Sequence, residues 1–171
     1  MNASFEKAMK LAVLSGLKAT LGPAFLTTAQ RRPSASAWVA AAVGEMVLDK
    51  MGFMPSRSSL PLLIPHAISG AWVARESMLA DGVDDPWAAP MGGAVAAGVS
   101  LFAPMLRISA RRVLGVGDPL LGMVEDYGAI KLGCEALGMS MGEVGVAARE
   151  SLEEVKDRIL PAVQSIGAGS I

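Results

Sequence analysis

Five charged residues within otherwise apolar stretches are the ones whose types and spacing could do chemistry. They are Lys18, Glu45, Asp49, Glu125 and Asp126. A charged side chain at the centre of a membrane-spanning helix costs roughly 2.5–3.5 kcal/mol, so such groups are expected to face the interior of a bundle and to pair. We therefore predict an intramembrane polar network in which Lys18 pairs with Glu45 or Glu125.

Three interpretations of such a network are open. Carboxylates in a low-dielectric interior hold protons more tightly and can carry them, which indicates an ion or proton pathway. The same charges could instead form a structural ion-pair network that fixes the register of the helices. The second and fifth apolar segments could also be displaced, which would leave Asp49, Lys50 or Glu125 at the membrane interface.

Composition indicates that these residues belong to an integral membrane protein. The chain of 171 residues is 52% hydrophobic and 18% charged, with a mean hydropathy of +0.45. Soluble domains carry about a quarter charged residues, and a membrane-spanning helix needs about 20 mostly apolar residues. Hydropathy predicts five such segments, at approximately Ala8–Thr28, Ala37–Met54, Leu60–Met78, Pro90–Ser109 and Pro119–Met139.

The predicted fold is all-α, an integral membrane bundle of four to five short Gly/Ala-rich helices over residues 1–139. Residues 140–171 are predicted to be an amphipathic surface helix with a frayed tail. Ser140 and Glu143 have the spacing of a capping box at its start, and Pro161 is expected to end it. One face of this helix is apolar, with Val144, Ala148, Leu152, Val155 and Ile159.

Small residues spaced one helical turn apart predict close packing between helices. Each of four glycines has an alanine four positions away, and these glycines are Gly16, Gly44, Gly92 and Gly93. Helix backbones can approach closely at such positions, and this packing drives association where lipid supplies no hydrophobic effect.

The distribution of Lys and Arg predicts a cytoplasmic amino terminus. Lys7, Lys10 and the arginines at the end of the fourth segment would then lie inside the cell, and the acidic turn Asp81–Trp87 outside. Arg31 and Arg32 fall on the opposite side in this topology, so the prediction rests on a modest excess of charge.

Composition also argues against several classes of function. A net charge of −1 gives no reason to expect a nucleic-acid partner. The single histidine, His66, and the single cysteine, Cys134, give neither a metal-binding cluster nor a catalytic triad. We therefore expect no enzyme activity, no metal site and no cofactor.

Five short motifs resemble those of a known family. They are Gly16-Leu17-Lys18, Gly44–Lys50, Pro55-Ser56-Arg57, Ser69-Gly70-Ala71 and Glu125-Asp126. Together they are similar to a bacterial family of small multi-pass membrane proteins known as domain of unknown function 4126, over roughly residues 10–135. Lys18 stands where that family has arginine, and lysine does not replace a guanidinium fork. The resemblance implies a location in the bacterial inner (plasma) membrane and implies no activity.

Two classes of function are compatible with these features. One is a small transporter or channel for an ion or solute, with the five charged residues as its polar interior. The other is a non-catalytic structural or accessory subunit of a larger membrane complex. A continuous polar cavity would favour transport, and a dry, paired interior would favour the subunit. The expected partners are the lipid bilayer and either further copies of the chain or other membrane proteins.

Overall fold

The chain is all-α wherever its structure is described, as the sequence predicted. The computed structural model describes residues 2–50 and 60–168, with the side chains of 60–62 and 161–168 excepted. The Pro55-Ser56-Arg57 motif and the end of the second predicted segment lie outside these residues. The described helices are α1 (Ala3–Leu17), α2 (Leu21–Ala29), α3 (Ala35–Leu48), α4 (Leu60–Ala80), α5 (Ala88–Leu114), α6 (Asp118–Leu137) and α7 (Met141–Ala168).

The first predicted segment is two helices and a chain reversal, so the prediction of one continuous span is wrong. The backbone of Lys18 is extended, with φ −142° and ψ 122°, and it ends α1. After the tip at residues 18–20, α2 folds back onto α1. A Cβ on Gly22 would lie 2.8 Å from the carbonyl oxygen of Leu11, so the two backbones touch. We call residues 18–20 the hairpin tip.

Close backbone contact joins α1, α4 and α5. A Cβ on Gly16 would lie 2.7 Å from the carbonyl oxygen of Ala96, and one on Gly70 would lie 2.6 Å from that of Gly92. At Gly93 the nearest backbone oxygen would be 3.2 Å away. Side chains cannot be added at these distances without moving the backbone. The small-residue seam is the name we give to these five residues, which are Gly16, Gly70, Gly92, Gly93 and Ala96.

Gly44 does not belong to such a contact. No described atom lies within 4 Å of the position that a Cβ would take there. Four glycines that the spacing analysis did not select do make close contacts. They are Gly70 in the seam, Gly22 against α1, Gly122 against Arg107 and Gly133 against the ring of Phe25. Small residues recur on every face of an Ala/Gly-rich helix, and only those on the face toward a neighbour have a role in packing.

The start of α1 and the end of α4 lie at the same end of the bundle. The ammonium of Lys7 is 2.5 Å from a carboxylate oxygen of Asp81. At the same end, Arg32 after α2 lies 2.5 Å from Glu76 of α4. This arrangement contradicts the predicted topology, which placed the amino terminus and the acidic turn on opposite sides. The hairpin adds one chain reversal that hydropathy does not register.

The capping box predicted at the start of α7 is confirmed. The backbone N–H of Ser140 donates to the carboxylate of Glu143 at 2.7 Å, and the backbone N–H of Glu143 donates to the Ser140 hydroxyl at 3.2 Å. The hydrogen bond from the Ser140 backbone lowers the pKa of Glu143. The α7 helix packs on α3 and contacts the core through Val144 and Ala148.

Pro161 does not end α7, contrary to the sequence prediction. The helix continues to residue 168, and only residues 169–171 of the predicted frayed tail lie outside the described part of the chain. An interior proline removes one helical hydrogen bond and bends the helix without always ending it. Pro65 and Pro104 likewise lie inside α4 and α5.

Helix length and composition identify one candidate membrane span where hydropathy predicted five segments. Among the described residues, only α5, with 27 residues, is long and apolar enough to cross a bilayer. Within the most apolar 18-residue stretch of α5, 17% is buried inside the protein. The helices α1 and α3 have 15 and 14 residues, fewer than the 17–25 or so that a span requires.

Candidate functional site

Lys18 is buried at the hairpin tip, with 1% of its surface exposed. Its ammonium lies 2.7 Å from a carboxylate oxygen of Asp49 and 3.4 Å from one of Asp126. Asp49 caps the end of α3, and Asp126 lies on α6. Taking an ammonium out of water costs several kcal/mol, on the order of what close pairing can offset. Two carboxylates from two other helices therefore hold this lysine.

The structure places these two aspartates where the sequence analysis predicted Glu45 or Glu125. Each aspartate is a near neighbour of the predicted glutamate, one helical turn after Glu45 in one case and the next residue after Glu125 in the other. Adjacent residues on a helix differ by about 100° in direction. Charge spacing along the sequence does not tell which of two neighbouring carboxylates faces Lys18, because this depends on how α6 is rotated against α1.

Charges of alternating sign form a continuous chain through the site. Arg107 of α5 lies 3.5 Å from Asp49, which pairs with Lys18. Lys18 in turn contacts Asp126, and the second oxygen of Asp126 forms an ion pair with Lys50. We call these five side chains the charged cluster. Each ionised group has an opposite charge beside it, which is the condition for keeping charges in a protein interior.

Arg107 extends the network along α6. Its guanidinium lies 3.1 Å from the Asp118 carboxylate and 3.6 Å from that of Glu125. A Cβ on Gly122 would lie 2.6 Å from a guanidinium nitrogen, so this glycine gives the arginine room to cross α6. The sequence analysis did not select Arg107 and Lys50 for the network. It counted Arg107 among the charged residues at the end of the fourth segment, and it left Lys50 inside the second segment without assigning it a partner. The spacing of Glu125 and Gly122, which face the arginine together, is the signal that could have suggested it.

Glu45 binds the hairpin tip and lies outside the charged cluster. Its carboxylate accepts hydrogen bonds from the backbone N–H groups of Ala19 and Thr20 at 3.0 and 3.1 Å, and from the Thr20 hydroxyl at 2.6 Å. These amides stand at the start of α2, where free N–H groups carry a partial positive charge. A carboxylate is the matching partner, so Glu45 acts as the cap that α2 lacks in its own sequence.

Two side chains of α4 bind the carbonyl side of the same tip. His66 is 4% exposed, and its Nδ1 lies 2.6 Å from the carbonyl oxygen of Ser15. Since a carbonyl can only accept, Nδ1 carries the proton. The hydroxyl of Ser69 donates to the carbonyl oxygen of Ala19 at 2.5 Å. The break between α1 and α2 therefore has polar partners from α3 on its amide side and from α4 on its carbonyl side.

The charged cluster is open on one side and closed at Lys18. Side-chain exposure falls from 33% at Lys50 through 12% at Asp126 to 1% at Lys18. The closed end is deep in the bundle, because Gly16 contacts Ala96, which lies near the middle of α5. The charged cluster therefore runs from the partly exposed Lys50 to the buried Lys18 in the interior of the bundle.

The outer surface of α4, α5 and α6 is apolar. Large exposed side chains there include Ile64, Ile68, Phe102, Met105, Leu106, Leu120, Met123 and Val124. Soluble monomers rarely expose contiguous apolar patches above a few hundred Å². Large apolar patches on a protein surface commonly mark contacts with lipid or with another protein.

Two further features of the interior bear on ligands. A cavity of ≈ 90 Å³ lies between α2, α3, α6 and α7, with mostly apolar side chains such as Phe25, Val39 and Val144 around it. Within residues 2–50 and 60–168, no three His, Cys, Asp or Glu side chains come together in a way that could hold a metal ion.

Comparisons of the chain with family models, with curated proteins and with solved structures gave no match. The resemblance to the domain of unknown function 4126 family therefore stays a prediction from short motifs.

Proposed function

We propose that this protein is an integral membrane transporter for a small ion or solute, and that the charged cluster is its binding site. The observation that carries the proposal is the buried Lys18, held between Asp49 and Asp126 in the interior of the bundle. Intramembrane ionisable groups are expensive, and they commonly mark the path of an ion or substrate.

The shape and surface of the bundle support a membrane location. At 1.5 Å per residue α5 is about 40 Å long, which exceeds the hydrocarbon core of about 30 Å. The apolar side chains that it exposes with α4 and α6 suit lipid. A small-residue seam is the way in which membrane helices associate, because lipid supplies no hydrophobic effect between them. The resemblance to the multi-pass family adds the bacterial inner membrane as the proposed location.

The hairpin tip fits a transporter site for a further reason. Non-helical backbone at membrane depth is tolerated only where protein buries it or where it lines a water-filled cavity. Here Glu45, His66 and Ser69 provide the polar partners of the broken backbone. In many transporters the ends of broken helices meet at the substrate site. Here α1 ends just before the hairpin tip that contains Lys18, and α2 begins just after it.

A structural or accessory subunit of a membrane complex is the second candidate. The observation in its favour is that each member of the charged cluster already has an oppositely charged partner, as in a network that only fixes helix positions. The exposed faces of α4, α5 and α6 would then contact other subunits or further copies of this chain.

The membrane location can be tested first. We expect the protein to stay with the bilayer through alkaline carbonate washing and to need detergent for release. Single cysteines at positions 4 and 83, each in a Cys134→Ala background, should react with an impermeant reagent from the same side of the membrane. Labelling of the two positions from opposite sides, or recovery in the soluble fraction, would contradict this arrangement.

Transport can then be tested in proteoliposomes loaded with pH-sensitive and potential-sensitive dyes. The double variant Lys18→Met/Asp126→Asn removes one charge of each sign, so it should fold and yet lose dye-reported flux. Lys7→Met, which changes the lysine at the surface of the same helix, is the control and should keep the flux. A native protein without flux would favour the subunit, and a folded double variant with unchanged flux would mean that the charged cluster is not the binding site.

A further inference from the structure

We propose that the protein binds a small amphiphile with one aliphatic tail. The tail fills the cavity between α2, α3, α6 and α7, and a zwitterionic headgroup lies in a charged groove beside that cavity. This site shares no residue with the charged cluster, so the inference goes beyond the proposed transport function and does not depend on it. It is drawn from a change from apolar to polar side chains that occurs on three helices together.

The lining of the cavity suits a hydrocarbon better than water. Its volume is ≈ 90 Å³, and Thr28 is the only polar residue among the described residues around it. An ordered water needs two to four polar partners, so apolar cavities stay dry and take apolar molecules instead. A cavity of about 150 Å³ takes one benzene molecule. The smaller cavity here therefore has room for one tail of about six carbon atoms or fewer.

The cavity is elongated along two neighbouring helices. Its lining runs on α2 from Leu21 to Thr28 and on α3 from Val39 to Met46. Each of these stretches extends over about 10 Å, at 1.5 Å per residue. A small volume spread over this length is narrow, and a narrow space matches an unbranched aliphatic chain.

A charged groove continues the cavity at its Thr28 end. The groove has a volume of ≈ 390 Å³ and shares Thr28 and Ala147 with the cavity. Beyond these two residues the lining becomes polar on every helix that continues into the groove. The polar residues there are Arg32 after α2, Ser36 on α3, and Glu150, Ser151, Glu154 and Arg158 on α7. A space that is apolar at one end and charged at the other is complementary to an amphiphile.

The charges of the groove favour a zwitterionic headgroup. Arg32 and Arg158 line it together with Glu150 and Glu154, so a purely anionic group would lie beside two carboxylates and a purely cationic one beside two guanidinium groups. Arg32 pairs with Glu76, and Arg158 pairs with Glu154, in each case through one nitrogen. A guanidinium has five N–H donors, so both arginines keep donors for a phosphate, while Glu150 can face an ammonium.

The experiment uses the full chain in an amphipathic polymer, so that no free detergent competes for the site. Calorimetric titration with butyl-, hexyl- and octylphosphocholine gives the affinities. Each methylene group that enters an apolar cavity should tighten binding about fourfold, so we expect a gain of about 15-fold from butyl to hexyl. The cavity is then full, and the octyl chain should gain no more than about twofold.

Three variants locate the tail and the headgroup. Ala148→Leu extends a side chain of α7 into the cavity and should weaken hexylphosphocholine about tenfold or more. Val146→Leu is the matched control, because Val146 lies on the same helix with 57% of its surface exposed, and it should bind like the native protein. Arg158→Gln should weaken hexylphosphocholine about threefold and leave the binding of hexyltrimethylammonium, which has no phosphate, unchanged.

Three results would overturn the inference. They are an equal gain from butyl to hexyl and from hexyl to octyl, unchanged affinity in a folded Ala148→Leu variant, and equal affinities of hexyl sulfate, hexyltrimethylammonium and hexylphosphocholine. The first of these results is what simple partitioning into apolar surface would give. If Ala148→Leu does not fold, Arg158→Gln decides the question, because its side chain is 67% exposed and its loss leaves the packing intact.

The outcome is also distinguishable from that of the transport assay. The double variant Lys18→Met/Asp126→Asn changes the charged cluster and neither the cavity nor the groove, so it should bind hexylphosphocholine with native affinity. Loss of binding in this variant, with its fold retained, would contradict a separate site.

Discussion

The small-residue seam and the charged cluster meet within two residues of α1, and they hold helices together in opposite ways. At Gly16 the helices touch because a side chain is absent, and no charged group takes part in the contact. At Lys18 the helices are held apart by long side chains that meet in ion pairs. Buried ion pairs are often no more stabilising than well-packed apolar groups of similar volume. The seam therefore explains how the helices associate, whereas the cluster is the feature on which the proposed function rests.

The largest expected effect comes from removing the central charge of the cluster. Lys18→Met removes one positive partner of both Asp49 and Asp126 and should lower the free energy of unfolding by about 3–5 kcal/mol. Adding Asp126→Asn should recover part of that loss. Thermal unfolding of both variants in detergent measures the difference.

The matched control for this prediction is the double variant Lys18→Met/Glu45→Gln. Glu45 binds backbone amides rather than the lysine, so this second change should recover nothing. Recovery through Glu45→Gln and none through Asp126→Asn would mean that the partners of Lys18 are those predicted from the sequence.

A smaller effect is expected at the seam. A Cβ on Gly92 would lie 2.5 Å from the carbonyl oxygen of Gly70, so Gly92→Ala should destabilise the protein by about 2–3 kcal/mol through overpacking. Gly98 is on the same helix with no described atom within 4 Å of its Cβ position. There, Gly98→Ala should be neutral or stabilising by up to about 1 kcal/mol. Equal effects of the two changes would contradict the backbone contact.

The two regions also differ in how far the sequence predicts them. Helix packing through Gly16, Gly92 and Gly93 depends on local spacing along one helix, and the spacing analysis selected all three positions. The charged cluster depends on which helices meet. The residues Lys18, Asp49 and Asp126 were selected because charge in an apolar segment is visible in the sequence, but their pairing was not.

The chain reversal at Lys18 is the main reason for the errors. The segment Ala8–Thr28 has the hydropathy of one span, and Pro23, in the first turn of α2, is a local signal of the break that the sequence analysis did not use. What stabilises the break comes from distant residues, Glu45 of α3 and His66 and Ser69 of α4. The missed reversal then inverted the predicted position of the acidic turn relative to the amino terminus. Tertiary contacts of this kind carry no local sequence signal.

A still smaller effect should separate the cap at the tip from the ion pairs beside it. Glu45→Ala leaves the N–H groups of Ala19 and Thr20 without their acceptor, which should cost about 1–3 kcal/mol. Glu45→Gln keeps one acceptor oxygen and should cost much less. Chemical denaturation in mixed micelles compares the two variants. If the residue were an ion-pair partner instead, glutamine would be nearly as damaging as alanine.

The smallest effect is expected from the other paired lysine of α1. Lys7 and Asp81 are both partly exposed, with 24% and 29% of their side-chain surface accessible, and exposed ion pairs contribute about 0–1 kcal/mol. Lys7→Met should therefore destabilise the protein far less than Lys18→Met, and added salt should reduce even this difference. A loss as large as that of Lys18→Met would mean that burial does not distinguish the two lysines.

The same pair predicts a dependence on pH. The hydrogen bond from Lys7 lowers the pKa of Asp81, so the folded state binds that proton less tightly than the unfolded chain. The contribution to stability is therefore complete above the ordinary aspartate pKa of about 3.9 and is lost as the pH falls through the lowered value. The stability difference between the native protein and Lys7→Met should be constant from pH 7 to about pH 5 and should shrink below pH 4. Unfolding midpoints measured across this range check it, and a difference that grows toward low pH would show that Lys7 does not act through Asp81.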